Sequence, residues 1–151
     1  MEIDGHTVEL LAVLVVAGQP VGKQRHRDGR NGRKYTPART REYEQRIAWT
    51  AASHRNLRED PIVDAGDMLM IRARAIFHRV NEFQAARHPD GLILKKTKPD
   101  TDNVLKSILD GLSKSGVLPD DARFVGCTGW KYWTERDGKP RTEIEIYRVL
   151  S

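Results

Sequence analysis

The stretch "MLMIRARAIFHR", Met68–Arg79, alternates in character along its length. Ile71, Ala73, Ala75 and Phe77 share one face of an extended chain, and Arg72, Arg74 and His78 share the other. That is the period-two pattern of a half-exposed strand with a basic outer face. A strand of this kind needs a partner layer over its apolar face, and the segments on either side supply one.

Upstream, "VELLAVLVVAG" (Val8–Gly18) is a short, continuous Val- and Leu-rich run, which predicts a buried strand. "TPARTREYEQRIAWTAASHRNL" (Thr36–Leu57) predicts a helix, with Thr36 as N-cap and Pro37 at the first helical position. Tyr43, Ile47 and Ala51 recur every four residues and form its buried stripe. Downstream, residues 81–99 show no clear period. "KPDTDNVLKSILDGL" (Lys98–Leu112) then predicts a second helix whose core face is Val104, Leu105, Ile108, Leu109 and Leu112. "FVGCTGWKYWT" and "RTEIEIYRVL" read as strands, and Asp137-Gly138 between them predicts a hairpin. Trp130, Tyr132 and Trp133 read mainly as core, with Cys127 a small buried residue beside them.

The order strand, helix, strand, helix, strand, strand gives an α/β (α+β) class. We expect a single domain spanning residues 1–151, with a mixed sheet of about four strands and two main helices on one face. A length of 151 residues suits one core.

The lone Cys127 excludes an intrachain disulfide and a cysteine zinc site. The apolar run Leu10–Ala17 is too short to span a bilayer and follows acids rather than lysines. A cytoplasmic protein without membrane attachment is therefore expected. The formal charge is +5. Between Gln19 and Arg46 nine basic residues face only Asp28, Glu42 and Glu44, and the remainder of the chain is close to neutral. A flexible glycine-bearing segment with this surplus fits a polyanion such as a nucleic-acid backbone.

In the second helix, Asp100 stands just before the first turn and Asp102 within it. Lys106 and Asp110 follow at four-residue steps on the polar face. Capping, the helix dipole and an Asp102–Lys106 ion pair account for these residues structurally. "LPDDARF" adds Asp120 and Asp121 after the helix. If the chain doubles back, these carboxylates converge and need a hard divalent cation to offset their repulsion. Such an ion polarises a phosphodiester and activates water, and Lys106 can neutralise charge in the transition state.

"GQPVGKQRHR", "YTPARTREYE" and above all "KPDTDNVLKSILDGL" followed by "DDARF" resemble the RusA family of Holliday junction resolvases. The resemblance covers most of the chain. It implies a metal-dependent endodeoxyribonuclease of bacteria and prophages that acts in DNA recombination and repair. Such an enzyme cuts four-way junctions by paired symmetric nicks as a homodimer, with Mg²⁺ as cofactor, Mn²⁺ as a substitute and no organic cofactor. By the same resemblance Asp100, Asp102 and Asp121 match the metal-binding aspartates, Lys106 matches the catalytic lysine, and Asp120 is an accessory carboxylate. The basic segment matches the DNA-contacting region, with Lys23, Arg25 and Arg27 leading and Arg30, Arg33 and Lys34 beside them. Two competing readings remain. One is a non-catalytic branched-DNA-binding protein. The other is a nucleotide-sugar or nucleotidyl enzyme using the Asp-x-Asp pair, which leaves the basic segment unexplained.

Overall fold

In a computed structural model the chain is described throughout except at residues 25–26, 29–31, 33, 36, 64–65 and 85–86. It forms an α+β domain in which a six-stranded mixed sheet is covered by helices on one face. The strands are β1 (Glu2–Ile3), β2 (His6–Ala17), β5 (Leu69–Phe77), β6 (Ile93–Leu94), β7 (Phe124–Trp133) and β8 (Arg141–Val149), in the order β1-β2-β8-β5-β7-β6. Two short strands, β3 (Arg27–Asp28) and β4 (Lys34–Tyr35), pair separately within the basic segment. The helices are α1 (Ala38–Ser53), α2 (Arg55–Glu59) and α3 (Thr101–Ser113). Six strands replace the four expected because two-residue edge strands, β1 and β6, carry too little sequence for a period to register.

β5 is the central strand. It runs antiparallel to β8 and parallel to β7. Ile71, Ala73, Ala75 and Phe77 point into the core under α1 and α3, as their alternation predicts. On the opposite face Arg72 pairs with Glu145 and Arg74 with Glu143, both glutamates on β8. Cross-strand ion pairs therefore satisfy the basic outer face.

The placement of β5 overturns the expected hairpin. β7 and β8 are separated by β5, so the turn around Asp137-Gly138 carries the chain across the end of that strand. Thr134 N–H meets Phe77 O at 2.8 Å at this crossing. The long apolar run of β2 is also buried on one face only, since Val13 and Val15 are half exposed or more on the helix-free side. Trp130 and Cys127 are exposed rather than buried, and Trp133 packs against the core from its edge.

α1 starts after Pro37, the residue at the N-cap. The expected cap, Thr36, lies outside the described residues. Tyr43, Ile47 and Ala51 are fully buried, and the helix breaks at His54 before α2. α3 buries Val104, Ile108 and Leu112, with Leu105 and Leu109 partly covered.

The unit β5-α3-β7 is a parallel crossover. Parallel strands require one, and it places the start of α3 beside the C-terminal ends of β5 and β7. Much of the aperiodic stretch between β5 and α3 is ordered around Arg79, which is fully buried. Its guanidinium donates to the carbonyls of Thr134 (2.9 Å), Phe83 (2.7 Å), Pro89 (2.7 Å) and Gly91 (2.9 Å).

Candidate active site

The polar face of α3 carries the expected residues. Asp100 occupies the N-cap position, and its carbonyl accepts the Val104 N–H at 3.1 Å. Its carboxylate makes no capping hydrogen bond, although capping is the usual task of aspartate there. Asp102 is exposed in the first turn, where its charge complements the helix dipole. The expected Asp102–Lys106 pair does not form. The Lys106 ammonium lies 3.1 Å from Asp110 and 3.2 Å from Asp121.

Asp121 follows a reversal of the chain after α3. Gly116 takes a left-handed φ of 77°, which glycine adopts without strain, and the chain turns back to a 3₁₀ turn over Asp121–Arg123. Asp120 caps that turn by position and is exposed. The reversal brings Asp121 to Lys106. Among the described residues, however, no three acidic, His or Cys side chains stand close enough to hold a metal ion. Asp121 instead meets the ammonium of Lys106, about one helical turn beyond Asp102.

A divalent cation fits the donors in kind. Asp100, Asp102 and Asp120 are exposed carboxylates, and hard cations take carboxylate oxygen. It fits less well in position, because Asp121 is engaged by Lys106.

Lys106 belongs to a longer charge chain. Asp110 also meets Lys23, at 3.0 Å, and Lys23 meets Glu44 at 2.6 Å. Glu44 is fully buried on α1 and takes Lys114 on its other oxygen. Hydrogen bonds from Asp110 and then Asp121 hold the Lys106 pKa above the ordinary lysine value. Burial pushes Asp110 up, but Lys23 and Lys106 outweigh it and hold the carboxyl below the usual range. Burial likewise opposes the charge on Lys23, and Glu44 and Asp110 outweigh it upward. The ammonium of Lys106 is therefore fixed as a cation on the exposed face of α3.

The basic segment enters beside this face. Lys23 N–H bonds Asn103 O at 2.8 Å, and its side chain is committed to Glu44 and Asp110. Arg25, Arg30 and Arg33 lie outside the described residues. For Arg27 and Lys34 only the backbone, paired across β3 and β4, is described. A cleft of about 690 Å³ opens between this segment and the start of α3, lined by Arg39, His78, Lys95, Lys98, Asp100 and Asn103.

Sequence reasoning left four polar residues of this region without a role. Glu44 and Asp110 complete the lysine network. Lys95 and Lys131 hold the backbone before Asp100, with Lys131 donating to the carbonyls of Thr97 (2.7 Å) and Pro99 (2.6 Å). The i, i+4 spacing of Lys106 and Asp110 signalled one of these contacts. The others join residues 21 to 87 positions apart or lie within an aperiodic loop, so no local pattern marks them.

A family model described as endodeoxyribonuclease RusA matches residues 17–147 of this chain. The chain is also 29% identical, over 139 residues, to the uncharacterized protein YqaN of Bacillus subtilis (strain 168). That alignment covers 89% of this chain and 94% of the relative.

Proposed function

The chain belongs to the RusA endodeoxyribonuclease family, and on that premise we propose that it resolves four-way DNA junctions by hydrolysing one phosphodiester in each of two opposed strands. The observation that carries the reading is the family match, which includes the basic segment and every acidic residue of the α3 face. The free carboxylates of Asp100 and Asp102, with a fixed cation at Lys106, support it.

In this reading Asp100, Asp102 and Asp121 would hold Mg²⁺, or Mn²⁺ in its place, and Asp120 would assist. Bound there, the ion would supply a Lewis acid for the phosphoryl oxygen and an activated water. Asp121 must then exchange Lys106 for the ion. Lys106, kept protonated by Asp110, is positioned to neutralise charge building on the phosphoryl oxygens. Lys23, tied to Glu44 and Asp110, roots the basic segment rather than contacting phosphate. The cations beyond it, Arg25 to Lys34, follow the DNA backbone through phosphate contacts, which carry no sequence information. A homodimer supplies two equivalent sites for the two-fold junction.

The test is cleavage of a synthetic four-way junction in Mg²⁺ by the wild-type protein, Asp102→Asn and Lys106→Met. Paired nicks by the wild type, and their loss in both variants, are expected. Junction binding with no cleavage in Mg²⁺ or Mn²⁺ would return the non-catalytic reading. Sedimentation of the free protein as a monomer at micromolar concentration would remove the dimer.

A further inference from the structure

Lys95 and Lys131 are lysines that no carboxylate neutralises among the described residues. They are cross-strand neighbours, since Lys95 N–H donates to Lys131 O at 3.0 Å. Between them the two side chains reach three consecutive residues, Thr97, Lys98 and Pro99. The Lys131 ammonium donates to Thr97 O at 2.7 Å and to Pro99 O at 2.6 Å. The Lys95 ammonium donates to Thr97 Oγ1 at 2.6 Å and to Lys98 O at 2.6 Å. The carbonyls of 97, 98 and 99 each receive an ammonium.

The arrangement is costly. Lys95 is only 8% exposed and lies over the rings of Trp133 (4.2 Å) and Phe77 (5.1 Å). Burial, and then the like charge of Lys131, lower its pKa. What the pair secures is the turn entering α3. The turn is also closed from the other side, because a Cβ on Gly22 would lie 2.7 Å from the Pro99 Cβ.

The residue after this turn is Asp100. Its carboxylate makes no capping hydrogen bond. The direction of that carboxylate is therefore set by its backbone, and Pro99 O belongs to the peptide unit that enters it. We propose that Lys95 and Lys131 are positioning residues that clamp the 97–99 carbonyls and thereby aim Asp100, rather than lysines that contact DNA phosphates. The aim matters catalytically on the nuclease reading above, and the proposal rests on it to that extent.

The experiment compares Lys131→Met and Lys95→Met, each beside its Arg counterpart, with the wild type. Amide hydrogen exchange across residues 97–104 of the metal-free protein reads the clamp without any cleavage. Either Met variant is expected to exchange about tenfold faster there, with β2 and α1 unchanged. Mn²⁺ binding to the free protein should weaken by about tenfold, the scale for losing a group that orients a ligand. Cleavage at saturating enzyme should slow by about a hundredfold. Metal-free junction affinity should be unchanged, and the Arg variants should recover part of each loss.

Unchanged exchange and Mn²⁺ affinity would overturn the proposal. So would a loss of junction affinity with the saturating cleavage rate intact, which marks phosphate contacts. Failure of both Met variants to fold would overturn it as well, assigning the lysines to the stability of the sheet. If the wild type cut no junction, the nuclease reading would fall, while exchange and Mn²⁺ binding still decide the clamp.

Discussion

The Lys23 ammonium stands 2.6 Å from Glu44 Oε1, a carboxylate with no solvent exposure. Lys114 holds the other oxygen of the same glutamate. This buried pair fastens the root of the basic segment to α1 and α3. Breaking a buried pair from one side leaves an uncompensated charge, whereas replacing both members with apolar groups is often neutral. Glu44→Gln keeps the shape and removes the charge, so it should destabilise the fold by about 3 kcal/mol in urea unfolding at pH 7. Adding Lys23→Met should recover part of that loss. A double variant weaker than Glu44→Gln alone would mean that Lys23 acts mainly outside this pair.

Arg79 should be the least replaceable residue between β5 and α3. It is buried and satisfies four carbonyls from three different turns of the chain. Arg79→Met preserves much of the volume and leaves those acceptors unpaired. With each buried unpaired group costing about 1–3 kcal/mol, the variant should lose at least about 3 kcal/mol. Limited proteolysis should then cut within residues 81–91 well before the rest of the chain. Uniform cleavage across the chain would show that Arg79 does not order this loop separately.

These two clusters also mark where sequence reading succeeded and where it stopped. β5 and α3 were legible because burial imposes a period: two for Ile71, Ala73, Ala75 and Phe77, and 3.6 for Val104, Ile108 and Leu112. Asp100, Asp102 and Lys106 were legible as a motif for the same reason, since helix spacing fixes their order along one face. The pairing of strands was not, because a turn such as Asp137-Gly138 records that the chain bends and not which strand it crosses. The partners of Lys106 show the same limit. Asp102 and Asp110 stand equally far from it in sequence, yet the ammonium meets Asp110 together with Asp121, which comes from beyond the helix. Lys95, Lys131 and Arg79 act on backbone carbonyls, which leave no side-chain signature at all.

Glu135 gives the acid limb of stability a specific origin. Arg141 grips it with two bonds, at 2.6 and 3.1 Å, and these hydrogen bonds pull its pKa from 4.5 down to about 2. The folded state therefore binds fewer protons than the unfolded chain in that interval. The stabilisation is complete above the ordinary glutamate pKa and is lost as pH falls through about 2. The urea midpoint of the wild type should fall between about pH 5 and pH 2, and that of Glu135→Gln should fall less. Above pH 6 the variant should be weaker by under about 1 kcal/mol, because the glutamate side chain is 38% exposed and solvent screens the pair. Glu143 and Asp110 are held low as well, so some acid limb should persist. Parallel curves for wild type and variant would remove Glu135 as a source.

Gly111 sits where two effects of opposite sign meet. It lies inside α3, where alanine favours the helix by about 1 kcal/mol. A Cβ there would stand 2.8 Å from Ile47 Cβ and 3.0 Å from the Glu44 carbonyl oxygen. Neither atom is the free end of a side chain, since one is bonded to the α1 backbone and the other belongs to it. Relief requires the two helices to separate, and overpacking of this kind costs about 1–3 kcal/mol. The steric term should win. Gly111→Ala should lower the thermal midpoint by a few degrees, about 2–4 °C per kcal/mol at this chain length. Gly129→Ala offers the contrast. The three atoms nearest its Cβ all belong to the Leu105 side chain, closest at Cδ2 (2.8 Å), and a side chain gives way more readily than backbone. It should therefore cost less than Gly111→Ala. A Gly111→Ala protein as stable as wild type would mean that the α1–α3 contact yields more readily than its backbone approach indicates.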